Sequence, residues 1–138
     1  MKVLIDTSVW ADFFNGFGSA QEKDLARLLA GSDEICTCGV VVAEVFQGLR
    51  RDKGRAEIER LFRELVFLEP SGMDAYLRAA NLYRTLRERG VTVRSTVDCL
   101  IAVIADENDC DVLARDRDLS AILQAGLLKA RAWPAASA

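Results

Sequence analysis

The chain has 138 residues, 51% of them hydrophobic and 28% charged, with 18 Lys and Arg against 21 Asp and Glu. That length suits one domain whose core needs no disulfide or metal staple, and the composition is too apolar for intrinsic disorder. A net charge of -3 and the absence of histidine exclude a bulk positive field for nucleic acid, the Ser-His-Asp and Cys-His hydrolases, and every histidine-ligated metal. The longest apolar runs, such as Cys99 to Ala105, fall well short of the ~20 residues of a membrane helix. The N-terminus shows no signal peptide, so a cytoplasmic protein without a membrane partner is expected.

In chain order, Lys2 to Ile5 predicts a buried strand ending at Asp6. Thr7-Ser8 then offers caps for a helix through Val9, Trp10, Phe13 and Phe14 that Asn15-Gly16 stops. Leu25, Leu28 and Leu29 place a helix over Ala20 to Ala30, and Glu34 to Thr37 reads as a second strand. Val41, Val45, Phe46 and Leu49 share one face of a helix from Val40 to Leu49. Gly54 to Phe67 is amphipathic, Val66 to Leu68 adds a short strand, and Met73 to Arg89 is a long helix ended by Gly90. Ser95 to Asp98 opens a helix over Cys99 to Glu107. A strand at Asp111 to Ala114, a helix at Asp118 to Gln124 and a last strand at Leu128 to Trp133 follow.

Short apolar strands alternating with helices imply an α/β fold, a three-layer α/β/α sandwich with a central, mainly parallel sheet. A single domain over residues 1–133 is expected, with 134–138 as a disordered tail.

Parallel sheets gather ligands at the carboxyl ends of their strands. Asp6 ends the first strand, Asp116 follows the strand through Ala114, Glu44 lies on the helix after the second strand, and Asp98 lies in the first turn of a helix. Glu44 and Asp98 are flanked by aliphatic residues, which points to partial burial and the need for a partner. Each acid also has a plain alternative. Asp6, Asp116 and Asp118 suit helix caps, Asp98 suits a capping box with Ser95, and Glu44 suits an ion pair with Arg51 or Lys53. If the acids converge, their repulsion raises their pKa values and calls for a cation. Oxygen-only ligands favour Mg²⁺ or Mn²⁺, and with such an ion phosphodiester cleavage needs no histidine.

Cys36, Cys38, Cys99 and Cys110 lack zinc spacing and read as small buried residues of a reducing compartment. The arginine clusters that include Arg50, Arg51, Arg115 and Arg117 read either as solvated helix faces or as local contacts to RNA phosphates.

Four segments carry a resemblance: Ile5-Asp6-Thr7-Ser8-Val9-Trp10, Ala43-Glu44-Val45 with Gly48, Val97-Asp98-Cys99-Leu100-Ile101-Ala102, and Ala114-Arg115-Asp116-Arg117-Asp118-Leu119. In order and register they resemble the PIN-domain ribonucleases, more narrowly the VapC-type toxins of bacterial toxin–antitoxin pairs, over Met1 to Trp133. The resemblance implies a Mg²⁺- or Mn²⁺-dependent endoribonuclease cutting structured RNA such as tRNA or ribosomal RNA. It implies Asp6 and Asp98 as primary metal ligands, with Glu44 and Asp116 completing the acidic pocket. Thr7 or Ser8 would orient ligand or substrate. It further implies a homodimer and a cognate antitoxin whose C-terminal segment covers the site.

Two positions depart from the family pattern. Ala114 stands where a hydroxyl residue is frequent, and Leu119 where Phe is common, so Asp116 and Asp118 compete for the fourth acidic role, with Asp116 preferred. Two other classes are compatible with an α/β chain of this size. A PIN-like scaffold that binds RNA or protein without cutting would be expected to have lost an acid. A phosphoacceptor signalling domain wants an acidic pair after its first strand, where this chain has Asp6-Thr7-Ser8.

Overall fold

A computed structural model describes residues 1–49 and 54–134. Strands β1 (Lys2–Ile5), β2 (Glu34–Cys38), β3 (Val66–Leu68) and β4 (Asp111–Leu113) pair in the order β3-β2-β1-β4, each neighbouring pair parallel. Between and after them run α1 (Thr7–Asn15), α2 (Ala20–Ala30), α3 (Gly39–Gln47), α4 (Arg55–Glu64), α5 (Met73–Glu88), α6 (Thr96–Glu107) and α7 (Arg117–Gln124). The chain steps outward from β1 to β3 and then returns across β1 to β4. Right-handed crossovers therefore put α1 to α4 on one face and α5 and α6 on the other. The packing agrees: α1 lies against α2 and α3, and α6 against α5 and α7.

Covered on both faces, the strands are apolar on both sides. Val3, Leu4, Ile5, Cys36, Cys38, Val112 and Leu113 are all buried, as is every residue of α6 from Ile101 to Ala105. Trp10 anchors the α1 face, fully buried with its ring centroid 4.7 Å from that of Phe62 and 5.7 Å from that of Phe14. Gly16, with φ of 65°, takes the left-handed turn that closes α1. At the opposite edge of the sheet, where strands begin, the Glu34 N–H donates to the Met1 carbonyl at 2.9 Å and the Met1 amine stands 3.6 Å from Asp33.

Several boundaries differ from the sequence reading. The helix expected to run to Phe67 ends at Glu64, because Leu65 turns extended and feeds β3. The helix carrying Asp98 begins at Thr96, directly after its Ser95 cap. The expected last strand over Leu128 to Trp133 is instead one parallel bridge between Val112 and Ala132. Its cause is Asp106 on α6, whose Oδ1 accepts the backbone N–H groups of Lys129 (2.6 Å) and Ala130 (2.9 Å) and draws that stretch off the sheet. Burial alone would raise the Asp106 carboxyl, but the Arg78 guanidinium and those two donors outweigh it and hold it below the usual carboxylate range. Arg50, Arg51 and Lys53 lie outside the described residues, as do residues 135–138.

Candidate active site

β1 and β4 are neighbours whose helices depart to different faces, which makes the space beyond their carboxyl ends the switch point of the sheet. Asp6 and Asp116 sit there. The Asp6 N–H donates to the Leu113 carbonyl at 2.9 Å, fixing Asp6 at the last rung of the ladder. Its carboxylate, only 4% exposed as a residue, caps α1 by accepting the Ser8 N–H (3.2 Å) and the Ser8 hydroxyl (2.6 Å) on Oδ2. Asp116 caps α7, its Oδ1 accepting the N–H groups of Asp118 (2.7 Å) and Leu119 (3.3 Å). The N-termini of α1, α6 and α7 all carry one of the acids, so their positive dipole ends offset part of the clustered charge.

Asp98 is different. Ser95 caps α6 through the Val97 N–H at 3.0 Å, and no hydrogen bond from the described residues reaches the Asp98 carboxylate. Burial, followed by the charges of Asp116, Asp6, Asp118 and Glu44, pushes its carboxyl up to about 7. Asp6 is also raised, by burial first and by Asp116 as well, against the hydrogen bonds from Ser8. Oxygens of Asp98, Asp116 and Asp118 lie within 4.8 Å of one another. Asp98, Asp116 and Asp118 therefore converge, Asp6 and Glu44 reach Asp98 through charge, and capping and convergence coexist at Asp116.

Glu44 corrects an expectation: it is exposed rather than partly buried. α3 buries Val41 and Val45, and at roughly 100° per residue Glu44 falls on the flank of that stripe, facing the site. The Thr7 hydroxyl donates to its Oε1 at 2.9 Å. Thr7 and Ser8 thus each hold an acid in place.

Arg94 and Asp12, which the sequence reading passed over, complete the surroundings, Arg94 through Asp118. Asp118 is nearly buried, and its Oδ2 accepts both the backbone N–H (2.9 Å) and the Nε–H (2.8 Å) of Arg94, which hold it below its usual range. An Arg94 Nη atom stands 3.9 Å from Asp116 Oδ1. Asp12, on α1 and fully buried, takes the guanidinium of Arg115 through both its oxygens, one at 2.8 Å. The Arg115 N–H also donates to the Ser8 hydroxyl oxygen at 3.0 Å. Arg117, at the first position of α7, is exposed. The signal for Asp12 was present: a lone carboxylate amid Trp10, Phe13 and Phe14 is the same pattern that singled out Glu44 and Asp98.

An all-oxygen donor set, with one carboxyl displaced toward its neutral form and lacking a hydrogen-bond donor, fits a hard divalent ion of the Mg²⁺ or Mn²⁺ kind. A parallel sandwich with clustered carboxylates at its switch point defines the class of molecule. The PIN domain family model matches residues 3–123. VapC ribonuclease Mb1587 of Mycobacterium bovis and Ribonuclease VapC11 of Mycobacterium tuberculosis are each 33% identical to this chain over 132 residues, covering 95% of it and 98% of their own length. Among solved structures, VapBC-1 from nontypeable Haemophilus influenzae superposes with a TM-score of 0.69 at 18% identity, covering 96% of this chain and 98% of that one. Mycobacterium tuberculosis VapC20, a sarcin-ricin loop cleaving toxin, gives 0.61 at 23% identity, covering 94% and 98%. The chain belongs to the PIN-domain family, in the VapC group.

Proposed function

We propose that this protein is a divalent-metal-dependent endoribonuclease toxin that cuts structured RNA, tRNA or ribosomal RNA, and is silenced by a cognate antitoxin. The observation that carries the reading is the gathering of Asp98, Asp116 and Asp118 at the switch point, with burial first, and then the charges of these neighbours and of Asp6 and Glu44, pushing Asp98 up to about 7. Asp6 and Asp98 are the principal ligands, and Glu44 and Asp116 complete the pocket. These carboxylates would hold a Mg²⁺ or Mn²⁺ ion, which would supply an activated water and neutralise charge on the phosphate. The residues do the rest. Ser8 and the backbone amides at the start of α7 fix the caps Asp6 and Asp116, while Thr7 steers Glu44. Asp98, free of donors, is left open to the ion.

The structured-RNA substrate is supported by VapC20, which acts on the sarcin-ricin loop. An antitoxin partner is supported by the likeness to VapBC-1. A second copy of the chain as partner is supported by exposed apolar side chains on α5, namely Met73, Tyr76 and Leu77. Among the described residues no helix is long and apolar enough to cross a membrane. The reading puts the protein in the cytoplasm, where antitoxin and RNA would meet it.

The test is cleavage of end-labelled tRNA and ribosomal RNA by antitoxin-free protein with Mn²⁺ and with EDTA. Discrete fragments should require metal, and Asp6→Asn and Asp98→Asn should each lower the rate by about 100-fold or more with the circular dichroism spectrum unchanged. Wild-type rates from either variant would overturn the assignment. A metal-loaded wild type that cuts neither RNA class would return the chain to a binding scaffold.

A further inference from the structure

Arg94 lies in the loop between α5 and α6, four residues before Asp98, and reaches the acidic pocket from its rim. Its base is fixed at two points, because the backbone N–H and the Nε–H both donate to Asp118 Oδ2. Yet its side chain is 78% exposed. The Nε edge is spent on Asp118, which leaves the Nη groups in water beside Asp116. A pair this exposed contributes little to stability. Asp118 already has the Arg94 N–H and does not need the guanidinium to be satisfied. The arrangement holds an arginine fork still at the mouth of a strongly negative pocket, where a polyanionic chain must be brought close against repulsion. The other arginine beside the acids, Arg115, is turned inward onto Asp12. Arg117 is exposed and forms no ion pair within 4.0 Å among the described residues.

We propose that Arg94 binds a phosphate of the RNA strand next to the acidic pocket and that Asp118 is its positioning residue, which leaves the fourth acid of the pocket to Asp116. The proposal rests on the ribonuclease reading of that pocket. A guanidinium matches phosphate in two-pronged geometry, which an ammonium does not. Asp118 contributes by aiming the fork.

The test is fluorescence anisotropy with a labelled single-stranded RNA of about 20 nucleotides, in EDTA so that no cleavage occurs, over a KCl series. Calorimetric titration with Mn²⁺ runs alongside. Arg94→Gln should weaken RNA binding about five- to tenfold at low salt and reduce the salt slope by about 0.7, the value for one phosphate contact on a single strand. Arg94→Lys should keep the slope and lose part of the affinity, and Asp118→Asn should weaken binding with Arg94 in place. Mn²⁺ affinity should be unchanged in Arg94→Gln. A wild-type slope in Arg94→Gln, or tighter Mn²⁺ binding with RNA binding unchanged, would overturn the proposal and make Arg94 a tethered counter-ion of the acids. Cleavage by the wild type combined with Arg94-independent binding would sink this inference alone. A wild type that binds RNA through Arg94 without cutting it would sink the nuclease reading alone, and a wild type that neither binds nor cuts would sink both.

Discussion

Arg115 closes a two-pronged ion pair on Asp12, joining the loop that carries Asp116 to the helix that begins beneath Asp6. Through the same residue's N–H the loop is also tied to the Ser8 hydroxyl, which in turn bonds Asp6. The hydroxyl residue frequent in the family two positions before the fourth acid is Ala114 here. Ser8 supplies a hydroxyl to that loop from across the sheet.

Asp12→Asn should therefore lower stability at pH 7 by about 2 kcal/mol, the scale of a hydrogen bond to a charged group, moderated by the half-exposed Arg115. Arg115→Lys should cost less in stability and still weaken Mn²⁺ binding, because an ammonium cannot hold both oxygens. Thermal unfolding together with Mn²⁺ titration checks this. An unchanged midpoint in Asp12→Asn would show that the pair is ornamental.

Asp98 predicts a conflict between stability and readiness for metal. Its folded pKa is raised, to about 7, above an unfolded value near ~3.9. The native state keeps a proton that the unfolded chain gives up from about pH 4 upward, so this contribution to stability is lost as pH rises through about 7. In EDTA, Asp98→Asn should be the more stable protein at pH 8, by at most about 4 kcal/mol, and equal to wild type near pH 4. Saturating Mn²⁺ should reverse the order at pH 8. Urea unfolding at both pH values reads this directly, and a wild type equally stable to Asp98→Asn at pH 8 would contradict it.

Asp106 carries the opposite sign. Its folded pKa lies below the unfolded one, so its stabilisation is present above ~pH 4 and disappears as pH falls through the folded value. Asp106→Asn should cost about 3 kcal/mol at neutral pH, since it sets an amide NH₂ against the Arg78 guanidinium and leaves Lys129 and Ala130 only a neutral oxygen to donate to. The gap to wild type should narrow below pH 4 in acid-unfolding curves. A pH-independent difference would mean that packing, not charge, is what was lost.

Much of the fold could be read from local pattern. Lys2–Ile5 and Ala20–Ala30 come out to the residue, since an apolar strand ended by an acid and a leucine stripe are signals contained within their own segments. The acids at the strand ends were legible for the same reason. What escaped depended on partners far along the chain. Asp106 pulls on residues 23 and 24 positions away, and Asp12 waits for an arginine 103 positions on. Arg94 meets Asp118 across 24 residues, and nothing in the spacing around either announces the other. The exposure of Glu44 was misjudged because aliphatic neighbours in sequence are not neighbours on a helix.

The pairing of Met1 with Asp33 and Glu34 bears on how the protein can be handled. All strands point one way, so the first residue emerges at the end of the sheet opposite Asp6 and Asp116, roughly 13 Å of strand away from them. A fluorescent or affinity fusion placed ahead of Met1 would leave the rim of the acidic pocket open, for an RNA or for whatever shields it. The same fusion on a loop beyond β1 or β4 would stand in the doorway.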